Sequence, residues 1–451
     1  MFRIYAIQLK GLIAILLFIG LSPTIALAQE WSGFQAEARH SGESGVNFFS
    51  KDIVELWKFK PGEHIWSYTQ GSNVWSSSAV IAKVGDKVTV FAGFYNHNLY
   101  ALDAATGRLL WRFIAGGRLN FAPFFAEINS RPMLFIVSGD RTIYALDAAT
   151  GEKLWSYETL KWSYTVSEPV ASSPIVVFID AKPVVIFSIW NSDSAPLNFL
   201  QAGEVYCLDA ANGEKIYSAF ISSGPLNSPA FSYLGDRPLL FVSSTDGRVF
   251  GLDARDGKML WQTTLCSGIN STPSLCRQKD MTLVLVGSRF GNLYCLDGLS
   301  GKTIWSKKFG YFIDSTPAIA HINGQGLLYF GAYDRNVYCL DVETGNQIWK
   351  FKTGNYVSSS CALAKIKETG VVFIHSLDNK LYCLGAQDGS LLWSKDTGKL
   401  IWGYSTRGDS AWSSPAISSF EGRPLLIFPS YDGQLYAFSS ASGAEEIDTG
   451  R

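Results

Sequence analysis

The chain has almost no net charge, no long basic run and, beyond its first 28 residues, no long apolar run. Lys and Arg number 38 against 39 Asp and Glu, for a formal charge of −1. A protein that reads nucleic acid carries a basic patch, so that partner is excluded. No stretch after Gln29 is apolar enough to form a membrane span. No two Cys are adjacent and Cys-x-x-Cys-His is absent, which excludes covalent c-type haem. There are 7 Cys, an odd number, so at least one thiol is unpaired. The first of them is Cys207, so a lipid-anchored N-terminus is not expected. Charge at 17% and aromatics at 14% exclude a disordered or fibrous chain and describe a β-rich one.

Arg3 and Lys10 precede the apolar run from Gly11 to Leu21, and Ala26-Leu27-Ala28 supplies small residues before Gln29. This is the layout of a cleaved secretory signal peptide over 1–28, with an uncleaved anchor as the alternative. The expectation is an exported protein, periplasmic or extracellular.

What is present in abundance is one phrase. It reads Tyr100-Ala-Leu-Asp-Ala-Ala-Thr-Gly107-Arg-Leu-Leu-Trp111, and returns from Tyr144, Tyr206, Phe250, Tyr294, Tyr338, Tyr382 and Tyr436. Most copies are 44 residues apart. A repeat of that period built from short strands predicts a β-propeller with one blade per copy. The repeat overrides the roughly three domains that 451 residues would otherwise suggest. The reading is all-β: an eight-bladed propeller of four-stranded antiparallel blades over 54–451, after a lead-in over 29–53. The Trp slot holds Trp57, Trp111, Trp155, Tyr217, Trp261, Trp305, Trp349 and Trp393. A ninth slot falls on Ile447, so the lone strand around Trp57 should complete the last blade and cover its edge.

In the copy over 305–349 the expected strands are 314–319, 326–330, 336–340 and 346–350. Asp341 to Gly345 forms the hairpin turn, with Asp accepting downstream N–H groups and Gly supplying positive φ. Gly385 and Ser439 replace that Asp in the last two copies, so looser turns are expected there. Cys207, Cys295, Cys339 and Cys383 fill the slot held elsewhere by Ala or Gly, which predicts small buried packing residues. Cys361 takes a Pro position, and Cys266 and Cys276 flank one strand, beyond disulfide reach of each other. The first strand of each blade opens on Ser-Ser/Thr-Pro, as in Ser315-Thr316-Pro317, Ser172-Ser173-Pro174, Ser271-Thr272-Pro273 and Ser413-Ser414-Pro415. Looser versions include Asn227-Ser228-Pro229, Ser359-Ser360-Cys361 and, in the first blade, Ser76-Ser77-Ser78. These hydroxyls read as axial packing and backbone capping, since no His in the phrase would activate a nucleophile.

Three connections between blades are longer than the rest, before Ser78, Pro174 and Pro415, and a fourth insertion lies within Ser188–Gly203. In a four-stranded meander all four should emerge on one face. They carry Trp66, Tyr68 and Trp75; Trp162 and Tyr164; Trp402, Tyr404 and Trp412; and Trp190. Loops carry function on rigid scaffolds, and Trp and Tyr are enriched at binding hot spots. These nine aromatics are the candidate binding residues, with Glu63, His64, Glu168, Arg407 and Asp409 nearby to orient a ligand. The alternative is that they fold back over the channel mouth or the blade edges.

The phrase Tyr-x-Leu-Asp-x-x-x-Gly-x-x-x-Trp resembles the quinoprotein-type repeat, and Trp31-Ser-Gly-Phe-Gln-Ala-Glu-Ala-Arg-His40 is similar to the start of exported members. The resemblance spans about 31–447. It implies blades locked by the recurrent Trp, and a family that includes pyrroloquinoline-quinone dehydrogenases and the propeller lipoprotein of the outer-membrane β-barrel assembly machinery. The chain departs from the dehydrogenases in lacking a vicinal Cys pair and a compact Glu/Asn/Asp set for quinone and calcium. It departs from the lipoprotein in lacking a lipid-attachment Cys. The expected function is therefore a monomeric scaffold without catalysis or cofactor, binding a protein or extended ligand through its insert-bearing face. A pyrroloquinoline-quinone and calcium dehydrogenase is the alternative, and a carbohydrate-binding module the third.

Overall fold

The computed structural model describes residues 43–48, 53–61, 77–159, 172–191, 202–221, 227–265, 268–278, 281–397, 414–430 and 433–440. Every regular element among them is a strand. Eight sheets follow one another along the chain: blade 1 (80–114), blade 2 (124–158), blade 3 (175–221), blade 4 (230–264), blade 5 (274–308), blade 6 (318–352), blade 7 (362–396) and blade 8 (416–440). Within each, consecutive strands pair antiparallel. The first strands of neighbouring blades touch around the axis, and blade 1 meets blade 8. The fold is an eight-bladed β-propeller.

The ring closes as the repeat count requires. Ile53–Phe59 pairs antiparallel with Leu435–Ser440 as the fourth strand of blade 8. A further strand, Glu43–Phe48, runs parallel to Ala362–Ile366 on the inner edge of blade 7, making that sheet five-stranded. Its Val46 and Phe48 are buried, and Phe48 O accepts from Lys367 N at 2.9 Å. Nothing in Glu-Ser-Gly-Val-Asn-Phe matches the repeat, so periodicity could not mark it.

The phrase works as a lock between blades. Trp57 Nε1 donates to Ala104 O at 2.9 Å, in the next blade. The same bond recurs from Trp111 to Ala148, Trp155 to Ala210, Trp261 to Gly298, Trp305 to Val342 and Trp349 to Ala386. Each ring lies on the next blade's turn glycine. A Cβ on Gly107, at φ +68°, would sit 2.6 Å from Trp57 Cδ2. That glycine thus serves positive φ and close approach together. The small slot has the same origin. Ala101, Cys295 and Gly251 pair directly with Trp111, Trp305 and Trp261, and a Cβ on Gly251 would meet Trp261 at 2.3 Å. Cys207, Cys295, Cys339 and Cys383 are accordingly buried, and burial pushes the Cys207, Cys295 and Cys339 thiols up to about 12.

The axial hydroxyls cap backbone, in two directions. Ser315 Oγ bonds both N–H and C=O of Gly331, in the second strand of its own blade, and Ser271 and Ser359 do the same with Gly287 and His375. The following residue reaches across blades. Ser78, Ser414 and Ser360 accept from the backbone N of Ser414, Ser360 and Thr316, a chain of bonds crossing blades 1, 8, 7 and 6. These bonds correct two details. Ser77, not Ser76, bonds Gly93, so Ala79 takes the Pro position of blade 1 and the insertion before it is one residue longer than counted. The first strand of blade 6 is Ala318–Ile322, four residues later than expected. Hydroxyl bonds replace the ladder over Ser315 and Thr316, and Pro317 has no N–H to donate.

The turn without its Asp is not loose in blade 7. Gly385 N still donates to Ser390 O at 2.8 Å, and Asp388 Oδ1 takes the Ser390 N–H and hydroxyl at 3.0 and 2.8 Å. Those two Ser390 donors hold the Asp388 carboxyl below the usual range. The turn of blade 8 lies outside the described residues.

Candidate binding face

In blades 1, 2, 4, 5, 6 and 7 the turn between strands two and three bonds to the chain leaving the fourth strand of the same blade. Ala115 N donates to His97 O, Thr159 N to Arg141 O, Thr353 N to Arg335 O and Thr397 N to Asn379 O. The turns and the interblade connections therefore share one face, as the meander argument requires. Thr159 and Thr397 are the stubs from which the segments 160–171 and 398–413 depart. In blade 3, Lys182–Asn191 and Ala202–Asp209 stay paired out to Asn191 and Ala202, so the described ends of the fourth insertion lengthen this strand pair beyond its equivalents. Trp190 is in it, its backbone opposite Gly203. Trp66, Tyr68, Trp75, Trp162, Tyr164, Trp402, Tyr404 and Trp412 lie outside the described residues, as do Glu63, His64, Glu168, Arg407 and Asp409.

The uninserted blades hold an aromatic group on this face. Tyr311, Phe312, Tyr333 and Tyr356 form a row across blades 5 to 7, with ring centroids 6.3, 5.7 and 5.4 Å apart in succession. Tyr311 is 60% exposed, Phe312 43% and Tyr356 37%. Phe290 is exposed, and the next residue, Gly291, sits so close to Tyr311 that a Cβ there would be 2.7 Å from the Tyr311 carbonyl. Arg335 lies over the Tyr356 ring at 5.7 Å. Backbone bonds hold the row rigid: Ile313 N to Ser288 O, Tyr333 N to Phe312 O, Val357 N to Ala332 O and Leu377 N to Tyr356 O.

Beneath it, on blades 5 and 6, is a polar network. Asp314 is buried, and burial pushes its carboxyl up to about 6 against the pull of Arg289, Tyr333 and Asn270. Arg289 Nε lies 3.9 Å from Asp314 Oδ1. With its amide oxygen turned to the guanidinium, Asn270 accepts from Arg289 Nε and Nη2 at 2.6 and 2.7 Å. Asp314 and Asn270 occupy the residue before each Ser-Thr-Pro, so the axial motif places both at the channel mouth.

Sequence reasoning looked for binding residues where the repeat is lengthened, and so missed this row. The usable signal was substitution at constant length. The turn position four residues before the repeat's first aromatic is Asn96, Asp140, Asp246, Asp334 or Asp378 in other blades, but Phe290 in blade 5. Where present, that acid is tied down: Tyr144 and Tyr382 donate to Asp140 and Asp378 at 2.5 Å, and Tyr338 donates to Asp334.

Comparison with known proteins decides the family. The model of the family described as outer membrane protein assembly factor BamB matches residues 54–237, 201–279 and 277–443. The chain belongs to that family. No curated protein sequence matches it. Among solved structures, BamB from Moraxella catarrhalis is 17% identical, with a TM-score of 0.55, covering 88% of this chain and 100% of that one. A europium-containing methanol dehydrogenase is 14% identical, with a TM-score of 0.68, covering 91% of this chain and 98% of that one. The quinohemoprotein alcohol dehydrogenase from Comamonas testosteroni is 15% identical, with a TM-score of 0.66, covering 94% and 82%. At these identities the structural likeness speaks for the propeller alone.

The dehydrogenase relatives raise the quinone and calcium question. Among the described residues no three His, Cys, Asp or Glu side chains come together as a metal site. The axial belt is neutral hydroxyls. Two buried carboxylates are engaged, Asp314 as above and Glu204 by the Tyr206 hydroxyl at 2.6 Å. Among the described residues this donor set does not fit a calcium–quinone pair.

Proposed function

We propose that this member of the BamB family is an exported, non-catalytic scaffold that binds a protein partner through its insert-bearing face. The observation that carries the reading is the row Tyr311, Phe312, Tyr333 and Tyr356, exposed at all but the partly buried Tyr333 and held by backbone bonds on the same face as the insert stubs. Such a surface is rigid before it meets a ligand, which lowers the ordering cost of binding. Exposed aromatic rings are the side chains most often found at binding hot spots. Export rests on the signal-like segment 1–28 and agrees with the outer-membrane role printed for the family. The test is photo-crosslinking in the producing cell from benzoylphenylalanine at position 312 or 356, with position 220 on the outer rim as control. A discrete protein adduct from 312 and 356, absent from 220, supports the proposal. Adducts from the rim alone, or none from the face, reject it.

A further inference from the structure

Basic side chains flank the row, and the acids among them already have partners. Lys308 and Lys352 end the fourth strands of blades 5 and 6, opposite Asn292 and Asn336, and so stand at this face. Both are exposed, as is Arg335, and Arg289 is half exposed. Among the described residues, Lys308, Arg335 and Lys352 have no carboxylate within ion-pair reach. The local acids are already used. Asp334 and Asp378 accept tyrosine hydroxyls and backbone N–H groups, Asp314 is buried, and Asp396 has Lys380 at 3.8 Å.

Arg335 is also held in an unfavourable backbone state. Its φ is +71°, in the turn position that blades 4, 5 and 8 fill with Gly247, Gly291 and Gly433. Blades 1, 2 and 7 carry His97, Arg141 and Asn379 at the same position, also at positive φ, so it is the placement of the Arg335 side chain that bears on the row. Here it projects over the Tyr356 ring at the end of the row.

Ring spacing points to the shape of the occupant. Alternate side chains of an extended strand are roughly 6.6 Å apart, twice the rise per residue. The centroid steps of 6.3, 5.7 and 5.4 Å are somewhat shorter than that repeat, within what rotatable aromatic side chains on a strand can follow. We propose that this sector of blades 5 to 7 docks an extended, acidic segment of a partner protein, with aromatic side chains at alternate positions. The inference rests on the binding reading above and adds the chemistry of what is bound. Aromatic side chains lie along the Tyr311–Tyr356 row, while carboxylates between them meet Arg289, Lys308, Arg335 and Lys352.

The test is fluorescence anisotropy with labelled decapeptides on the full-length chain. One alternates Glu and Phe, one Lys and Phe, and one Glu and Ser; phosphatidylglycerol vesicles supply a non-peptide anion. The Glu/Phe peptide should bind saturably, more weakly in high salt because the charges are exposed. Phe312→Ser and Arg335→Gly should each weaken it about tenfold, as expected when a hot-spot contact is lost. Arg335→Gly also relieves the positive φ, so its melting temperature should not fall and misfolding cannot explain the loss. Equal binding of the Lys/Phe peptide, an unchanged affinity in Arg335→Gly, or binding of vesicles but not peptide would overturn the inference. Crosslinks from position 312 together with no Glu/Phe binding would sink this inference alone and leave the binding reading standing.

Discussion

Truncating Trp57 to Ala attacks the point where the two ends of the chain close the ring. The side chain is 8% exposed, its Nε1 donates to Ala104 O at 2.9 Å, and its ring covers Gly107. Removing a buried Trp costs about 3–5 kcal/mol, the lost transfer and the residual cavity together. The orphaned Ala104 carbonyl adds about 1 kcal/mol to that range. Trp393→Ala is the internal comparison. It is the same slot on blade 7, but the indole is less buried and its Nε1 has no hydrogen-bond partner among the described residues, so its loss should be smaller by about 1 kcal/mol. Deleting 53–59 goes further, because Leu435–Ser440, buried at every position, becomes an open edge prone to pairing with another chain. Urea unfolding followed by circular dichroism gives the energies, and light scattering after gel filtration gives the mass. The reasoning fails if Trp57→Ala costs no more than Trp393→Ala, or if the deletion variant stays monomeric and melts with the parent.

Asp314→Asn should change how stability depends on pH. The folded carboxyl titrates near 6 and the unfolded one near 3.8, so the folded state keeps its proton longer. That contribution is present below about pH 4 and lost as pH rises through 6, roughly 3 kcal/mol in all. The stability of the variant relative to the parent should rise by that amount from pH 4 to 7, and parallel curves would contradict it. Cys207, Cys295, Cys339 and Cys383, all buried, should resist alkylation in the native protein and react after unfolding; intact mass showing a disulfide between any two would overturn the packing role. Calorimetric titration with pyrroloquinoline quinone and calcium should show no saturable binding, and a one-to-one chromophore would favour the dehydrogenase reading.

The blade count, the closing strand and the roles of Trp, Gly and the axial Ser were legible because each is repeated. A requirement imposed at every blade by a neighbouring Trp ring leaves its mark at fixed spacing. Glu43–Phe48 was not legible, because it occurs once and its pairing depends on an inner edge assembled from residues over 300 positions away. The register of blade 1 slipped by one because three consecutive serines look alike until their hydrogen bonds are seen. Of the binding face, its position followed from topology, but its described aromatic residues did not. Tyr311, Phe312 and Tyr333 occupy ordinary-length loops and become a row only when blades 5 and 6 stand side by side.

The central claim is that this face holds a macromolecular partner, and the most direct measurement is partner recovery at matched expression. The parent and a Tyr311→Ser, Phe312→Ser, Tyr356→Ser variant are purified from the producing cell, and the stoichiometry of associated protein is read by quantitative mass spectrometry. All three residues are exposed, so the variant should keep the parental melting temperature. The account predicts one partner recovered with the parent and reduced at least about tenfold with the variant. Equal recovery of the same partner with both proteins would contradict it.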